Sequence, residues 1–234
     1  MNAQHTDRVV VTKNVTKEYK DNGVPVRAVQ GIDLEIGRGE FTAIVGPSGS
    51  GKTTFLNVIS GLDKATDGQV WLAGKQLSEM SGRELSDFRR DHIGFIFQAY
   101  NLIPVLTVTE NVEYIMLLQG VHPGERRRRV SKILGELGLE GVENRFPTQL
   151  SGGQQQRVAV ARAIVSEPAL VLADEPTANL DSQTAIDLID RMRELNESHG
   201  VTFIFSTHDT KIMERARRLI ALKDGRIDTD EVRS

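Results

Sequence analysis

Phe41-Thr42-Ala43-Ile44-Val45-Gly46-Pro47-Ser48-Gly49-Ser50-Gly51-Lys52-Thr53-Thr54 runs from an apolar segment through a glycine-rich turn into a lysine and two hydroxyls. Phe41 to Val45 reads as a strand, and Thr53 to Ser60 reads as a helix ended by Gly61. Gly46 and Gly51, followed by Lys52 and Thr53, complete the phosphate-loop pattern between them. Glycines suit this role because backbone N–H groups must wrap closely around phosphate, often at positive φ. The helix that follows points its positive end at the anion. Lys52 would reach the β- and γ-phosphates, and the Thr53 hydroxyl would bind Mg²⁺. The competing reading, a flexible turn, does not explain a strand before and a helix after.

A second glycine-rich stretch, Leu150-Ser151-Gly152-Gly153-Gln154, lies far downstream. One loop already surrounds the phosphates of one nucleotide, so a second suggests two chains closing face to face over shared nucleotides. Ala169-Leu-Val-Leu-Ala173 is a buried strand ending in Asp174 and Glu175. An acid at such a tip would hold Mg²⁺, which selects Asp174. Glu175, one step further out, would orient and deprotonate the water attacking the γ-phosphate. His208 follows the apolar run Val201–Phe205, and Gln98 follows Ile93–Phe97, each at a strand tip. His208 is either a structural group or a γ-phosphate contact. Gln98 would sense Mg²⁺ or water and pass its state to the segment that follows.

Composition narrows the field. The 234 residues carry a net charge of -3, which gives no general attraction to nucleic acid. No cysteine is present, so disulfides, thiolate metal sites and cysteine nucleophiles are excluded. The apolar runs are too short to cross a bilayer, and the first residues lack the apolar core of a signal peptide. Any membrane part must come from another subunit.

Further strands are expected at Val9–Val11, Val29–Ile36, Gly68–Leu72 and Arg218–Leu222. Helices are expected at Thr109–Gln119, Pro123–Leu137, Gln154–Ser166 and Thr184–Glu197, with a short one at Thr210–Arg217. Strands therefore flank a helical insert in one α/β unit. The tail from Asp228 to Ser234 is polar and expected to fray. The run Glu125-Arg-Arg-Arg-Arg129 reads as a solvated helix face in preference to a lipid or permease contact.

Taken together, the segments resemble the ATP-binding subunit of an ATP-binding-cassette (ABC) transporter over roughly Val9 to Arg226. The resemblance rests on Gly46–Thr53, Gln98, Leu150–Gln154, Leu170–Glu175, Asp181 and His208, in that order. It implies an α/β fold with a P-loop NTPase (RecA-like) core, an N-terminal antiparallel β region and an α-helical insert. Residues 1–97 and 166–234 would form the ATP-binding lobe, and 98–165 the helical lobe with the signature. ATP and Mg²⁺ are the implied cofactors. Ser151, Gly152, Gly153 and Gln154 would contact the γ-phosphate held by a partner copy's loop, and Asp181 would couple the two sites. Glu175 would be the catalytic base, with His208 on the γ-phosphate. Tyr19 would stack on adenine, the alternative being an ordinary strand tyrosine.

Phe97–Asn111 and Val171–Asp181 further resemble the branch with lipoprotein-release, macrolide-export and cell-division cassettes. That implies a homodimer with two competent sites driving integral membrane permease subunits, on the cytoplasmic, inner face of the cell membrane. Tyr100, Leu102, Ile103 and Leu106 would offer permease contacts, or else pack within the helical lobe. Nucleic acid is not an expected partner. The competing function is a soluble cassette ATPase acting on ribosomes, DNA or a protein assembly. A single cassette without cysteines or long heptads argues against it.

Overall fold

Side chains alternate along a strand, so a strand between two layers of structure must be apolar on both faces. Phe41–Val45, Leu170–Ala173 and Phe203–Thr207 have that character. In the computed structural model, which describes residues 7–21 and 24–233, they lie at the centre of a six-stranded sheet. The readings made for residues 1–6, for Gly23 as a strand break and for Ser234 fall outside the described residues.

The elements in chain order are β1 (Arg8–Asp21), β2 (Val24–Gly37), β3 (Phe41–Val45), α1 (Lys52–Ile59), β4 (Asp67–Leu72) and β5 (Lys75–Gln76). α2 (Gly82–His92), β6 (Ile93–Ile96), α3 (Val108–Leu118), α4 (Pro123–Glu136) and α5 (Gly152–Ile164) follow. The chain continues through β7 (Leu170–Ala173), α6 (Ser182–His199), β8 (Phe203–Thr207), α7 (Thr210–Met213), β9 (Arg218–Lys223) and β10 (Arg226–Val232). One antiparallel sheet has the order β2-β1-β4-β5, and the larger sheet runs β10-β9-β3-β8-β7-β6. Within the larger sheet β9, β3, β8, β7 and β6 are parallel, and β10 joins antiparallel at the edge.

The alternation divides the core in two. Phe41, Ala43, Val171, Ala173, Phe203 and Phe205 face the layer built by α3 to α6. Ile44, Leu170, Leu172 and Ile204 face the other way, against α1, α2 and the antiparallel sheet. Phe41 packs edge-on to Phe203, with ring centroids 5.5 Å apart, and tilted on Phe205 at 5.0 Å.

β10 and α2 depart most from the sequence expectation; β1 also runs past Val11 to Asp21, α5 and α6 start two residues early, and α7 ends at Met213, short of Arg217. Residues 226–232 do not fray. They form β10, although nearly every side chain in it is exposed. Its attachment is polar: Arg218 donates to both carboxylate oxygens of Asp230 (2.8 and 2.7 Å), to Glu40 (2.9 Å) and to the Glu35 carbonyl (2.8 Å). The Asp230 carboxylate, and secondly Glu40, push the Arg218 guanidinium further up against the opposing effect of burial. α2, for which no element was expected, starts with a capping box of Ser81 and Glu84 and buries Leu85 and Phe88, one turn apart. The arginine run on α4 is largely paired: Glu125 accepts from Arg128 and Arg129, and Arg126 donates to Glu113. Among the described residues no helix is long and apolar enough to cross a membrane.

Replacing Arg218 by Gln should lower unfolding free energy in urea by about 1.5–3 kcal/mol, because charged hydrogen bonds are lost beside a half-buried Glu40. The amides of residues 227–232 should exchange faster than those of β3. Hydrogen bonds from Arg128 and then Arg129 hold the Glu125 carboxyl down from 4.5 to about 2. A lowered pKa in the folded state means that its contribution is present above the ordinary glutamate value and is lost as pH falls towards about 2. Carbon-detected NMR titration should therefore place the Glu125 midpoint well below those of unpaired glutamates.

Candidate functional site

The loop from Gly46 to Gly51 leaves β3 where the parallel strands end, and glycine is required at both of its ends. Gly46 has φ +148, and a Cβ there would lie 2.2 Å from the Leu222 carbonyl. Gly51 has φ +100, and its Cβ would lie 2.3 Å from the Ala28 carbonyl. No side chain caps the start of α1, so its first N–H groups point into the loop without a partner of their own. Lys52 is 8% exposed, and its ammonium donates to the carbonyls of Gly46 (2.8 Å) and Pro47 (3.1 Å). No carboxylate offsets that charge among the described residues. Ser50 Oγ is buried with no hydrogen-bond partner. Unpaired donors, a carbonyl-bound ammonium and an orphaned hydroxyl together favour an anion in this cradle.

A cleft of about 640 Å³ opens over the loop. Tyr19, Ala28, Ser48, Gly49, Gly51, Lys52, Thr53, Thr54, Glu175 and His208 line it. Tyr19 stands on β1 with its hydroxyl donating to Asp63 Oδ2 at 2.7 Å, and the Lys17 ammonium lies 4.8 Å from the centre of its ring. Burial, and then the bond to Asp63, raise the Tyr19 phenol above its ordinary value. Burial also works to raise Asp63, but the bonds from Lys17 and Tyr19 outweigh it and lower that carboxyl.

Asp174 closes the floor. Its Oδ2 accepts from Thr53 Oγ1 at 2.9 Å, and its Oδ1 accepts from Ser206 Oγ at 2.6 Å. The adjacent Glu175 has a left-handed backbone, φ 46, and its carboxylate lies 2.8 Å from His208 Nδ1. Thr53 and Asp174 supply a hydroxyl and a carboxylate, hard oxygens that suit Mg²⁺, whose remaining positions take water and phosphate. Among the described residues no cluster of three His, Asp or Glu side chains forms a metal cage of its own.

The other sequence candidates lie outside this cleft. Ser151 caps α5, accepting from Gln154 N at 3.3 Å, while Gln154 Oε1 accepts from Ser151 N at 3.0 Å. α5 therefore starts at Gly152, ahead of the expected Gln154. A Cβ on Gly152 would lie 2.9 Å from the Tyr100 hydroxyl, and one on Gly153 2.6 Å from Thr184. The glycines thus let this helix start pack tightly. Asp181 caps α6, accepting from Gln183 N (3.1 Å), Thr184 N (3.0 Å) and Thr184 Oγ1 (2.6 Å). The Thr184 hydroxyl, and next its backbone N–H, lower the Asp181 carboxyl. Gln98 is exposed, and its carbonyl accepts from Asn179 Nδ2 at 2.8 Å.

Two side chains at this site carry no motif and escape sequence reasoning. Ser206 joins Asp174 to the backbone of Glu175. Gln156, fully buried on α5, donates to the Pro176 carbonyl at 2.6 Å and so ties the signature helix to the turn after Glu175. The alternation on β8 was the available signal for Ser206: it shares the face of Ile204, which also holds Asp174.

A phosphate loop between a parallel strand and a helix, with acids at the tip of the parallel strand one place removed, defines a P-loop nucleoside triphosphatase. The family model described as ABC transporter matches residues 29–178. An uncharacterised ABC transporter ATP-binding protein of Methanocaldococcus jannaschii is 44% identical over 229 residues, covering 95% of this chain and 97% of that protein. The macrolide export ATP-binding/permease protein MacB of Hyphomonas neptunium is 45% identical over 225 residues, which is 96% of this chain and 35% of MacB. A solved dimer of an ATP-binding cassette, in a post-hydrolysis state bound to ADP and Pi, superposes with a TM-score of 0.87 at 44% identity. That match covers 95% of this chain and 98% of the other. The chain belongs to the ABC transporter family and is an ATPase cassette of it.

Lys52→Ala should weaken ATP binding by about tenfold to a hundredfold, because a charge-assisted contact to phosphate is lost. Titration with a fluorescent ATP analogue would measure it, with circular dichroism showing an unchanged fold.

Proposed function

We propose that two copies of this chain close head to tail over two Mg·ATP molecules and that closure drives an integral membrane permease. One observation carries the reading. The chain holds a complete phosphate cradle and a second helix start built around Ser151, Gly152 and Gly153, yet none of the signature residues lines the cleft of its own chain. A partner's signature supplies what that cleft lacks: a further set of N–H donors for the γ-phosphate. The solved dimer of a related cassette with ADP and Pi supports the pairing.

In this reading Gly46 to Thr54 hold the phosphates, Tyr19 stacks on the base, and Thr53 and Asp174 would hold Mg²⁺, while Gln98, exposed outside the cleft, would have to turn inward to reach it. When bound, Mg²⁺ would supply charge neutralisation to the phosphates. Glu175 takes the proton from the attacking water, and His208 orients Glu175 and reaches the γ-phosphate. Asp181 links the two sites. Hydrolysis removes the phosphate that bridges the two copies, and the dimer reopens.

The permease surface is proposed at the junction of β6 and α3. A groove of about 280 Å³ there is lined by Phe95, Phe97, Ile103, Tyr114, Ile115 and Arg162. Tyr114, Leu117 and Leu118 add exposed apolar area beside it. Arg162 donates to the Tyr100 and Asn101 carbonyls and so braces the groove wall, while Leu102 packs inward against the core. A cassette seated here works at the cytoplasmic face of the membrane, held by its permease. The macrolide export function of MacB favours an export or force-transmitting partner over an importer.

A tagged Glu175→Gln protein should bind Mg·ATP, dimerise in size-exclusion chromatography and lose at least 99% of its ATPase rate, on the order of the 10²–10⁴-fold contribution of a general base. Pulled from detergent-solubilised membranes with Mg·ATP, it should bring down a permease. Recovery of ribosomal or DNA-bound proteins alone would replace the transport reading with that of a non-transport cassette.

A further inference from the structure

Ser206 sits at the end of β8, with no exposed surface, in the register position opposite Ile44 of β3. β7 pairs with β8 only as far as Ala173 opposite Phe205, so Ser206 lies beside the point where β7 gives way to Asp174. Its hydroxyl makes two bonds. The N–H of Glu175 has a proton only to give, so at 2.8 Å the Ser206 oxygen accepts it. The hydroxyl proton is then free for Asp174 Oδ1, and at 2.6 Å that bond has the length of a charge-assisted one.

Resting on the roles proposed above for Asp174 and Glu175, we infer that Ser206 is a positioning residue for ATP hydrolysis, acting on both acids through one oxygen. On Asp174 it occupies Oδ1 and leaves Oδ2 turned to the Thr53 hydroxyl, 2.9 Å away. The carboxylate is thereby fixed in the rotation that presents its oxygen towards the metal-binding side of the loop. On Glu175 the bond holds the amide of a residue whose φ of 46 is costly for a glutamate. That backbone conformation aims the Glu175 carboxylate at His208, 2.8 Å away. A valine or alanine at position 206 would fill the same face of β8, but neither would tie the metal-side acid to the base.

The roles divide the expected kinetics. Among the described residues Ser206 makes no hydrogen bond to the loop glycines or to Lys52, so the direct grip on the triphosphate does not run through it. Its loss should appear in the chemical step, where Glu175 must be aligned with its water.

Ser206→Ala removes one buried oxygen and adds no bulk. In the full chain with Mg·ATP, kcat should fall at least tenfold while KM stays within threefold of wild type. In nucleotide-free protein the Glu175 amide should exchange with solvent at least tenfold faster, and the amides of Phe203 to Phe205 should be unaffected. A kcat within twofold of wild type would overturn the inference whatever the exchange shows. So would a fall in kcat accompanied by unchanged Glu175 exchange, or by equal acceleration along the whole of β8, since either marks a diffuse structural effect. Glu175→Gln measured alongside separates the two readings. If that variant keeps its rate, the assignment of the base has failed; if it is inactive while Ser206→Ala is normal, only the role of Ser206 has.

Discussion

The parallel register of β3, β8 and β7 is the constraint on which the nucleotide site depends. These strands end at the same edge of the sheet, so the phosphate loop, Ser206 and the Asp174–Glu175 pair arrive there together from three distant parts of the sequence. Strand alternation does the rest. The face that buries Leu170, Leu172 and Ile204 continues, at its tip, into Asp174 and Ser206. A one-residue slip of β7 against β8 would turn Asp174 towards the helical layer and separate it from Thr53. The site is an extension of the core packing beyond the last apolar residue.

Electrostatics at the loop follow from the same geometry. A lysine nearly closed off from water is costly unless its charge is met, and here carbonyl oxygens meet it only in part. The glycine backbone brings these carbonyls and the uncapped N–H groups of α1 to within reach of one another. The protein keeps a positive cradle assembled before the nucleotide arrives, which is the preorganisation that phosphoryl transfer uses.

Much of this was legible in the sequence because glycine, lysine and strand-tip acids have few other reasons to occur in that order. The parallel strands could be read from their apolar runs, and α3 to α6 from their period. What escaped did so for particular reasons. α2 offers only two apolar residues, Leu85 and Phe88, one turn apart in a polar segment behind its capping box, too little to stand out in the sequence. β10 is held by a backbone ladder and by Arg218, a residue that pairs with it across twelve positions, so no local pattern announces it. Ser206 and Gln156 are single polar residues whose meaning comes from what lies opposite them, on β7 and after Glu175. Asp181 and Ser151 looked like ligand residues in the sequence, and within one chain both also cap helices.

β10 bears on how copies of the chain meet. It is an outermost strand, and outermost strands offer unused backbone donors and acceptors to any similar strand. Here Asp228, Asp230 and Glu231 stand exposed along it, with Arg218 already committed to Asp230. Two such strands laid side by side would bring carboxylates together with too few cations between them. Sheet-to-sheet growth is therefore resisted at this edge, and a second copy is steered away from building a continuous ribbon. In the proposed head-to-tail pairing, contact between copies falls to surfaces where an anion is wanted, and the triphosphate itself would become the adhesive.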